Sequence, residues 1–435
     1  MALPPGPPFP KLVQGLLLWH RTLPTLDWCR RRYGDVFTVW IPPLGACVYV
    51  ADPEEIKAVF AGDPAVFHAG EGNAVLSEIL GPASVLVLDE ERHLRQRKLM
   101  LPPFHGENVR RYGQTMADVA AAEVERWPVG SPFRLHPRLR AITLEVILSV
   151  VIGVEGARRD ELRRLLPRLS AISPLIQLMI LRPELERVGP WRRYRALQRR
   201  IDALLFDEIA DRRADPRLGE REDVLSMLVA ARDEDGGAMS DAELRDEVIT
   251  LLVAGHETTT TGLAWVFERL LRTPAALARA RELDDEYLDA VVQETLRVRP
   301  VISDVVRKLT RDTEVAGHVL PAGANVLPAI SLVQSDPRHH PDPQAFRPER
   351  FLDGSPAPNT WIPFGGGRRR CLGAAFASFE MRTVLRTVLE RAELRPARPE
   401  PEAIRPRHVT QVPARGAEAV LVRRSAMPAV EPAPA

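Results

Sequence analysis

The feature that most constrains this chain is a helical pattern that opens at Ser240 and runs without a break to Arg272, just before Pro274. Ser240 and Glu243 stand at capping-box spacing. At 1.5 Å per residue the run extends about 48 Å, enough to cross a large domain. Asp241, Glu243, Asp246 and Glu247 occupy its first turns, and Arg269 and Arg272 its last, an arrangement that suits the helix dipole. Val248 to Ala254 is apolar apart from Thr250, which predicts burial. A buried helix of this length needs a large, mainly helical body around it.

Its middle is unusual. Ala254, Gly255, His256 and Glu257 lead into four threonines, Thr258 to Thr261. Glycine costs about 1 kcal/mol in a helix interior, and threonine hydroxyls can bond back one turn and bend the helix. Two readings follow: a functional kink carrying a carboxylate and a hydroxyl, or a helix crossing that needs small residues.

Other helix signals fall near 107–127, 137–153, 158–170, 191–213, 274–282, 284–298 and 373–391. Strand patterns occur at Val36 to Ile41 and Cys47 to Ala51, joined by a turn, then near 305–330 and 408–424. Asp52 before Pro53 starts a short helix. Long helices with a segregated β component predict a mainly α (α+β) fold. No proline- or glycine-rich linker divides the middle. The expected organisation is one domain over 11–425, a proline-rich extension at 1–10, and a disordered tail at 426–435.

With 59 basic and 58 acidic residues, no chain-wide attraction to nucleic acid is expected. Leu12 to Trp19 is too short to span a bilayer, which needs about 20 residues. Neither a signal peptide nor a membrane anchor is read, so the expected setting is the cytoplasm. Three cysteines make no disulfide framework. Cys29 and Cys47 read as small core residues. Cys371 differs, because Phe364 to Gly373 is FGGGRRRCLG: glycines, arginines and a helix start converge on it. Those neighbours favour a thiolate, either nucleophile or metal ligand.

FGGGRRRCLG resembles the haem-binding loop of the cytochrome P-450 monooxygenases. Ala254-Gly255-His256-Glu257-Thr258-Thr259 resembles that family's oxygen-activating stretch on its long central helix. Glu294-Thr295-Leu296-Arg297 matches its Glu-x-x-Arg pair, and Pro348-Glu349-Arg350-Phe351 the segment that completes it. His93 and Arg97 match a pair that holds a haem propionate. The resemblance implies a helical domain with a smaller β-rich region, and haem b between the long central helix and the cysteine-loop helix.

It also implies roles. Cys371 would be the axial thiolate, which favours O–O cleavage. Phe364 would shield the sulfur, and Gly367 and Gly373 would let the loop lie against the porphyrin. His93, Arg97, Arg307 and Arg369 would hold the propionates, with Ala254 and Gly255 also against the cofactor. Glu257 and Thr258 would serve dioxygen activation, with His256 packed away from the haem. Glu294, Arg297 and Arg350 would form a buried triad that fixes the cysteine loop. Leu251, Val301, Ile302 and Val305 would line the pocket, together with 66–88, 171–188 and the turn near Gln411. Asp304, Ser303 and Gln177 are candidate polar contacts.

The expected reaction is hydroxylation or epoxidation of a lipophilic molecule such as a fatty acid, terpenoid or steroid. O2 would be the oxidant. With no Gly-x-Gly-x-x-Gly fingerprint, electrons would come from a separate ferredoxin and its NAD(P)H-dependent reductase, and the enzyme would act as a monomer. Arg95 and Lys98 are expected to join Arg368 and Arg370 in a positive patch for that donor. His339 and His340, beside Asp336 and Asp342, read as a solvated loop. The alternatives are a peroxide-driven hydroxylase, against which Glu257-Thr258 argues, and a haem sensor, for which no output module is seen.

Overall fold

The computed structural model describes residues 3–42, 44–169 and 189–425. Gln177 and the whole 171–188 part of the expected pocket lie outside the described residues, as does the 426–435 tail.

The main helices are α1 (Lys11–Tyr33), α2 (Pro53–Ala61), α3 (Glu90–Met100), α4 (Gly113–Val124), α5 (Leu135–Ile147), α6 (Gly156–Leu169), α7 (Gly189–Ala214), α8 (Asp241–Leu270), α9 (Asp285–Val298) and α10 (Ala374–Arg391). Their starts follow local chemistry. Asp52 accepts from the N–H groups of Glu54 and Glu55, with Pro53 at the first position of α2. Ser240 and Glu243 close the capping box of α8 reciprocally, and Asp284 caps α9. Helix α1 is not anticipated by the pattern: Gly15 and Pro24 interrupt it, and Arg21 leaves helical geometry (φ −142°, ψ 49°).

The strands are β1 (Val36–Ile41), β2 (Gly45–Val50), β3 (Phe67–His68), β4 (Pro132–Arg134), β5 (Arg307–Leu309), β6 (Thr313–Val315), β7 (His318–Leu320), β8 (Asn325–Pro328), β9 (Ala392–Pro396), β10 (Ile404–Arg407), β11 (Thr410–Pro413) and β12 (Glu418–Arg424). The largest sheet has the order β1-β2-β8-β5-β3, with β2 and β8 parallel. Ala316 (φ 51°) and Gly317 (φ 73°) turn the β6–β7 hairpin. Strand β12 joins β4 to β9, and β10 pairs with β11.

The architecture is mainly α with a segregated β region. Helix α8 runs through the largest apolar cluster, burying Val248, Leu252, Leu263, Val266 and Phe267 against α5 and α10. Smaller cores lie on the two faces of the five-stranded sheet, with Val48 and Val50 on one and Cys47 and Tyr49 on the other. The proline-rich opening is extended but tied down. Thr38 donates from its N–H to Pro5 O and from its hydroxyl to Pro4 O, so this segment lies along β1.

Candidate active site and cofactor cradle

The cysteine loop is held at both ends. Cys371 N–H donates to Phe364 O at 2.9 Å, and Ala377 N–H to Gly373 O at 2.8 Å as α10 begins. Cys371 remains accessible to solvent although protein surrounds it. Burial is the strongest influence on its thiol and pushes its pKa up. The Gly373 N–H, Arg370 and Arg97 pull the other way without prevailing. The thiolate expected from the arginines therefore needs a further positive partner, which a bound iron supplies.

Two of the loop glycines are demanded by a neighbouring helix. A Cβ at Gly366 would meet the Phe60 ring at 2.3 Å, and one at Gly367 would meet Phe60 O at 2.1 Å. Gly367 (φ +63°) is thus required for the loop to pack on α2. Around Gly373 the same test finds open space. A Cβ at Gly255 would strike Ile147 Cδ1 at 2.7 Å, so its smallness serves the α5–α8 crossing. Of the two readings of the mid-helix stretch, the crossing accounts for Gly255. No break occurs: α8 is continuous, and Thr258, Thr259 and Thr260 donate to Ala254 O, Gly255 O and His256 O.

Along this stretch Ala254 is exposed at mid-helix and Leu251 and Thr258 are half-buried, whereas Leu252, His256, Thr259 and Thr260 are buried. At spacings of three and four, Leu251, Ala254 and Thr258 share one face, and that face is open. His256 turns away, its Nδ1 against Leu252 O at 2.6 Å. Glu257 lies to one side of the open face. Its Oε1 is 3.2 Å from Arg407 Nη1 and 3.9 Å from His136 Nε2. Neither Glu257 oxygen nor His136 Nε2 has a hydrogen bond. Burial lowers the His136 pKa to about 4, so this ring is neutral at ambient pH. Beside it lies a cavity of about 330 Å³ lined by Arg134, His136, Arg405, Arg407 and Arg415 among others.

A second cluster carries the charge test for a cofactor. His93 is within electrostatic range of Arg97, Arg307 and Arg369, and Arg369 of Arg97 and Arg307. Burial first, then the neighbouring cations, lowers His93 to about 3. Burial likewise lowers both Arg307 and Arg369 to about 10. The carboxylate that answers them is Asp89, which pairs with Arg369 and also accepts from the N–H groups of Gly70 and Glu71. The buried Arg307 and the half-buried Arg97 and Arg369 outnumber that one carboxylate, as a cradle for a dicarboxylate requires. The donor set therefore fits haem: two propionates for the cations and an iron for Cys371.

Behind the loop, Glu294 and Arg297 are fully buried and paired fork to fork at 2.7 Å on both oxygens. Arg297 also donates to Gln334 O, Pro343 O and Ala345 O. Glu294 accepts from Arg347 N–H at 2.9 Å and lies 3.4 Å from Arg350 Nε. The structure brings all three predicted triad residues together. It adds Gln334, whose amide donates to Leu296 O and whose oxygen accepts from Ile362 N–H, two residues before Phe364. Trp361 packs edge-on to Phe364 and donates to Gln293 O. The network thus reaches the cysteine loop through 361–364.

Several expectations change. Leu251, Ile302 and Val305 are half-buried, and Val301 is buried in the main core against which Leu251 and Ile302 pack. Asp304 bonds to Ser303 and Tyr49, and burial raises its pKa. His340 is buried and contacts Thr360 O at 2.9 Å, so that loop is not wholly solvated. Among the described residues no His/Cys/Asp/Glu group could hold a metal ion by itself. The expected positive patch shrinks, because Arg95 pairs with Asp233 and Glu243, and Lys98 with Glu234. Arg368 and Arg370 are exposed, and neither has an ion-pair partner among the described residues. Sequence reasoning missed Asp89, His136, Gln334 and Arg407, which lack a recognisable local spacing.

Comparison with known proteins agrees with this geometry. The sequence profile described as Cytochrome P450 matches residues 4–416. A Mycobacterium tuberculosis protein that carries the name cytochrome P450 135B1 is 49% identical over 428 residues, covering 96% of this chain and 91% of its own. Another from that organism, named cytochrome P450 135A1, is 41% identical over 427 residues, 97% and 95% of the two chains. The cyanobacterial CYP120A1, in a structure with retinoic acid bound, superposes with a TM-score of 0.84 at 25% identity, covering 97% and 99%.

Proposed function

Because the chain belongs to the cytochrome P450 family, whose members are haem-thiolate monooxygenases, we propose a specific division of labour for it. It inserts one oxygen atom of O2 into a C–H or C=C bond of a lipophilic molecule such as a fatty acid, terpenoid or steroid. Electrons come from a separate ferredoxin and its reductase. The observation that carries this reading is the open face of α8, where Thr258 is presented beside a carboxylate, Glu257, that no hydrogen bond restrains.

Bound haem supplies the iron at which O2 is reduced. Cys371 Sγ would hold that iron, its charge tuned by the Gly373 N–H. His93, Arg97, Arg307 and Arg369 would take the propionates. Glu257 collects protons from the arginine-lined cavity, where Arg407 and His136 flank Oε1. Thr258 Oγ1 passes the proton on across the open face. Leu251, Ile302 and Val305 exclude water and favour an apolar substrate. The retinoic acid held by the cyanobacterial relative, an apolar acid, supports that substrate class. Arg368 and Arg370 on the cysteine side attract an acidic donor.

The test has two stages. A red-shifted Soret band of the ferrous–CO form reports thiolate ligation by Cys371. Turnover with NAD(P)H and surrogate ferredoxin partners, exceeding turnover with peroxide alone, supports the O2-dependent reading; the reverse result supports the peroxide-driven one. Substrate-induced spin shifts across fatty acids, terpenoids and steroids then narrow the class.

A further inference from the structure

Six of the thirteen exposed large apolar side chains among the described residues fall between Phe9 and Trp28, in or just before α1. Leu12 (76% exposed), Val13 (39%), Leu16 (59%) and Trp19 (52%) lie within about 120° of one another around the helix. The opposite face, with Gln14 and Leu18, is buried. No described residue covers the open stripe.

This face is held rigidly. Gln14 donates to Pro7 O and Phe9 O and accepts from Trp40 N–H, tying the start of α1 to the opening segment and to β1. Phe9 stacks on Trp28 at 5.7 Å. The stripe is therefore a fixed surface of the fold. Beside it an apolar cavity of about 270 Å³ is lined by Pro7, Phe9, Leu17, Pro24, Trp28 and Val39, among others.

Charge decides the occupant. Lys11, Arg21, Arg31 and Arg32 are exposed on the same helix. Its one acidic residue, Asp27, is paired with Arg31 at 2.8 Å. A second copy docked by two-fold symmetry would set these cations against themselves. An anionic lipid surface takes both the apolar stripe and the cations, and tryptophan suits the depth where headgroups meet acyl chains. No described helix is long and apolar enough to cross a membrane, so this contact is one of lying on the surface.

We propose that α1 docks the enzyme on anionic lipid. The helix lies in the interface plane, with Leu12, Val13, Leu16 and Trp19 among the acyl chains and Lys11, Arg21 and Arg32 against the headgroups. The apolar cavity then opens toward the bilayer, where a lipophilic molecule is concentrated.

The test is co-sedimentation of holoprotein with vesicles of mixed phosphatidylglycerol and phosphatidylcholine, against phosphatidylcholine alone. Binding to the anionic vesicles is expected, weakening with salt. Leu12→Glu with Leu16→Glu should lower the partition coefficient on the order of 10-fold or more. Lys11→Glu with Arg21→Glu should lower it only on anionic vesicles. An unchanged ferrous–CO spectrum and circular dichroism show that each variant is folded, and Val422→Glu, exposed elsewhere, should bind as wild type. Failure to bind the anionic vesicles, or binding untouched by the leucine changes, overturns the proposal. So does a concentration-dependent dimer that the leucine changes abolish while vesicles stay unbound.

Discussion

Two glutamates on neighbouring helices are built in opposite ways. Glu294 of α9 is sealed, with both oxygens on Arg297, a third contact from Arg347 N–H, and no accessible surface. Glu257 of α8 is nearly as enclosed, yet neither oxygen has a hydrogen bond; it is held by an ion pair with Arg407 at 3.2 Å, with His136 farther off at 3.9 Å. A carboxylate with both oxygens held by hydrogen bonds is fixed in place and suits a structural role. One held only by nearby charge can change partners, which proton transfer demands. The contrast separates the half of the molecule that holds the cysteine loop from the half that is proposed to handle protons.

The largest expected effect comes from opening the sealed side. Glu294→Gln leaves the buried Arg297 cation unanswered, and breaking such a pair costs about 3–5 kcal/mol. Arg297→Lys loses the fork and the three carbonyl contacts at once. Either change should yield protein without haem, read by loss of the Soret band on purification. A stable holoprotein from both would show that the network does not hold the loop. On the open side the fold should survive. Thr258→Ala is expected to leave the ferrous–CO spectrum intact while substrate oxidation per NAD(P)H falls, on the order of 100-fold, in favour of peroxide. Unchanged coupling with a bound substrate would remove Thr258 from the proton path.

A third buried glutamate sharpens the comparison through pH. Glu380 of α10 is fully buried, its Oε1 has no donor, and burial raises its pKa to about 8. Between its ordinary value near 4.5 and about 8, the unfolded chain has lost this proton while the native protein keeps it. Stability therefore falls as pH rises through that window, the reverse of a paired carboxylate. Glu380→Gln removes the effect and should stabilise on the order of 2 kcal/mol at pH 7, with little gain below pH 4.5. Equal Tm shifts at both pH values would mean the gain is packing, not ionisation.

How far the sequence revealed these arrangements follows from distance along the chain. Glu294 and Arg297 are one helical turn apart, and Phe364 to Gly373 is a single loop, so both were legible as local spacing. The ends and class of most helices were legible for the same reason. Gln334 reaches the loop across 28 residues and Asp89 meets Arg369 across 280, and neither has a local signature. Gly255 and Gly367 were legible as necessary glycines but not for their reason, because Ile147 and Phe60 come from distant helices. Helix α1 stayed hidden because Pro24 and Gly15 break its pattern, and only the fold shows which of its apolar residues are exposed.

The smallest expected effect concerns where an electron donor meets the sealed side. Lys98 and Arg95 look equivalent to Arg368 and Arg370 in the sequence, but the first two are answered by Glu234, Asp233 and Glu243. An ion pair at the surface presents little net charge beyond itself, and salt screens what remains over about 10 Å. Lys98→Glu should therefore leave the ferredoxin-driven reduction rate nearly unchanged. Arg370→Glu, reversing a charge with no partner among the described residues, should slow it several-fold at low salt and less at high salt. Stopped-flow reduction under carbon monoxide measures both. If Lys98→Glu slowed reduction as much as Arg370→Glu, the donor would have to displace the acidic partners on docking, and the sealed face would be less settled than its ion pairs imply.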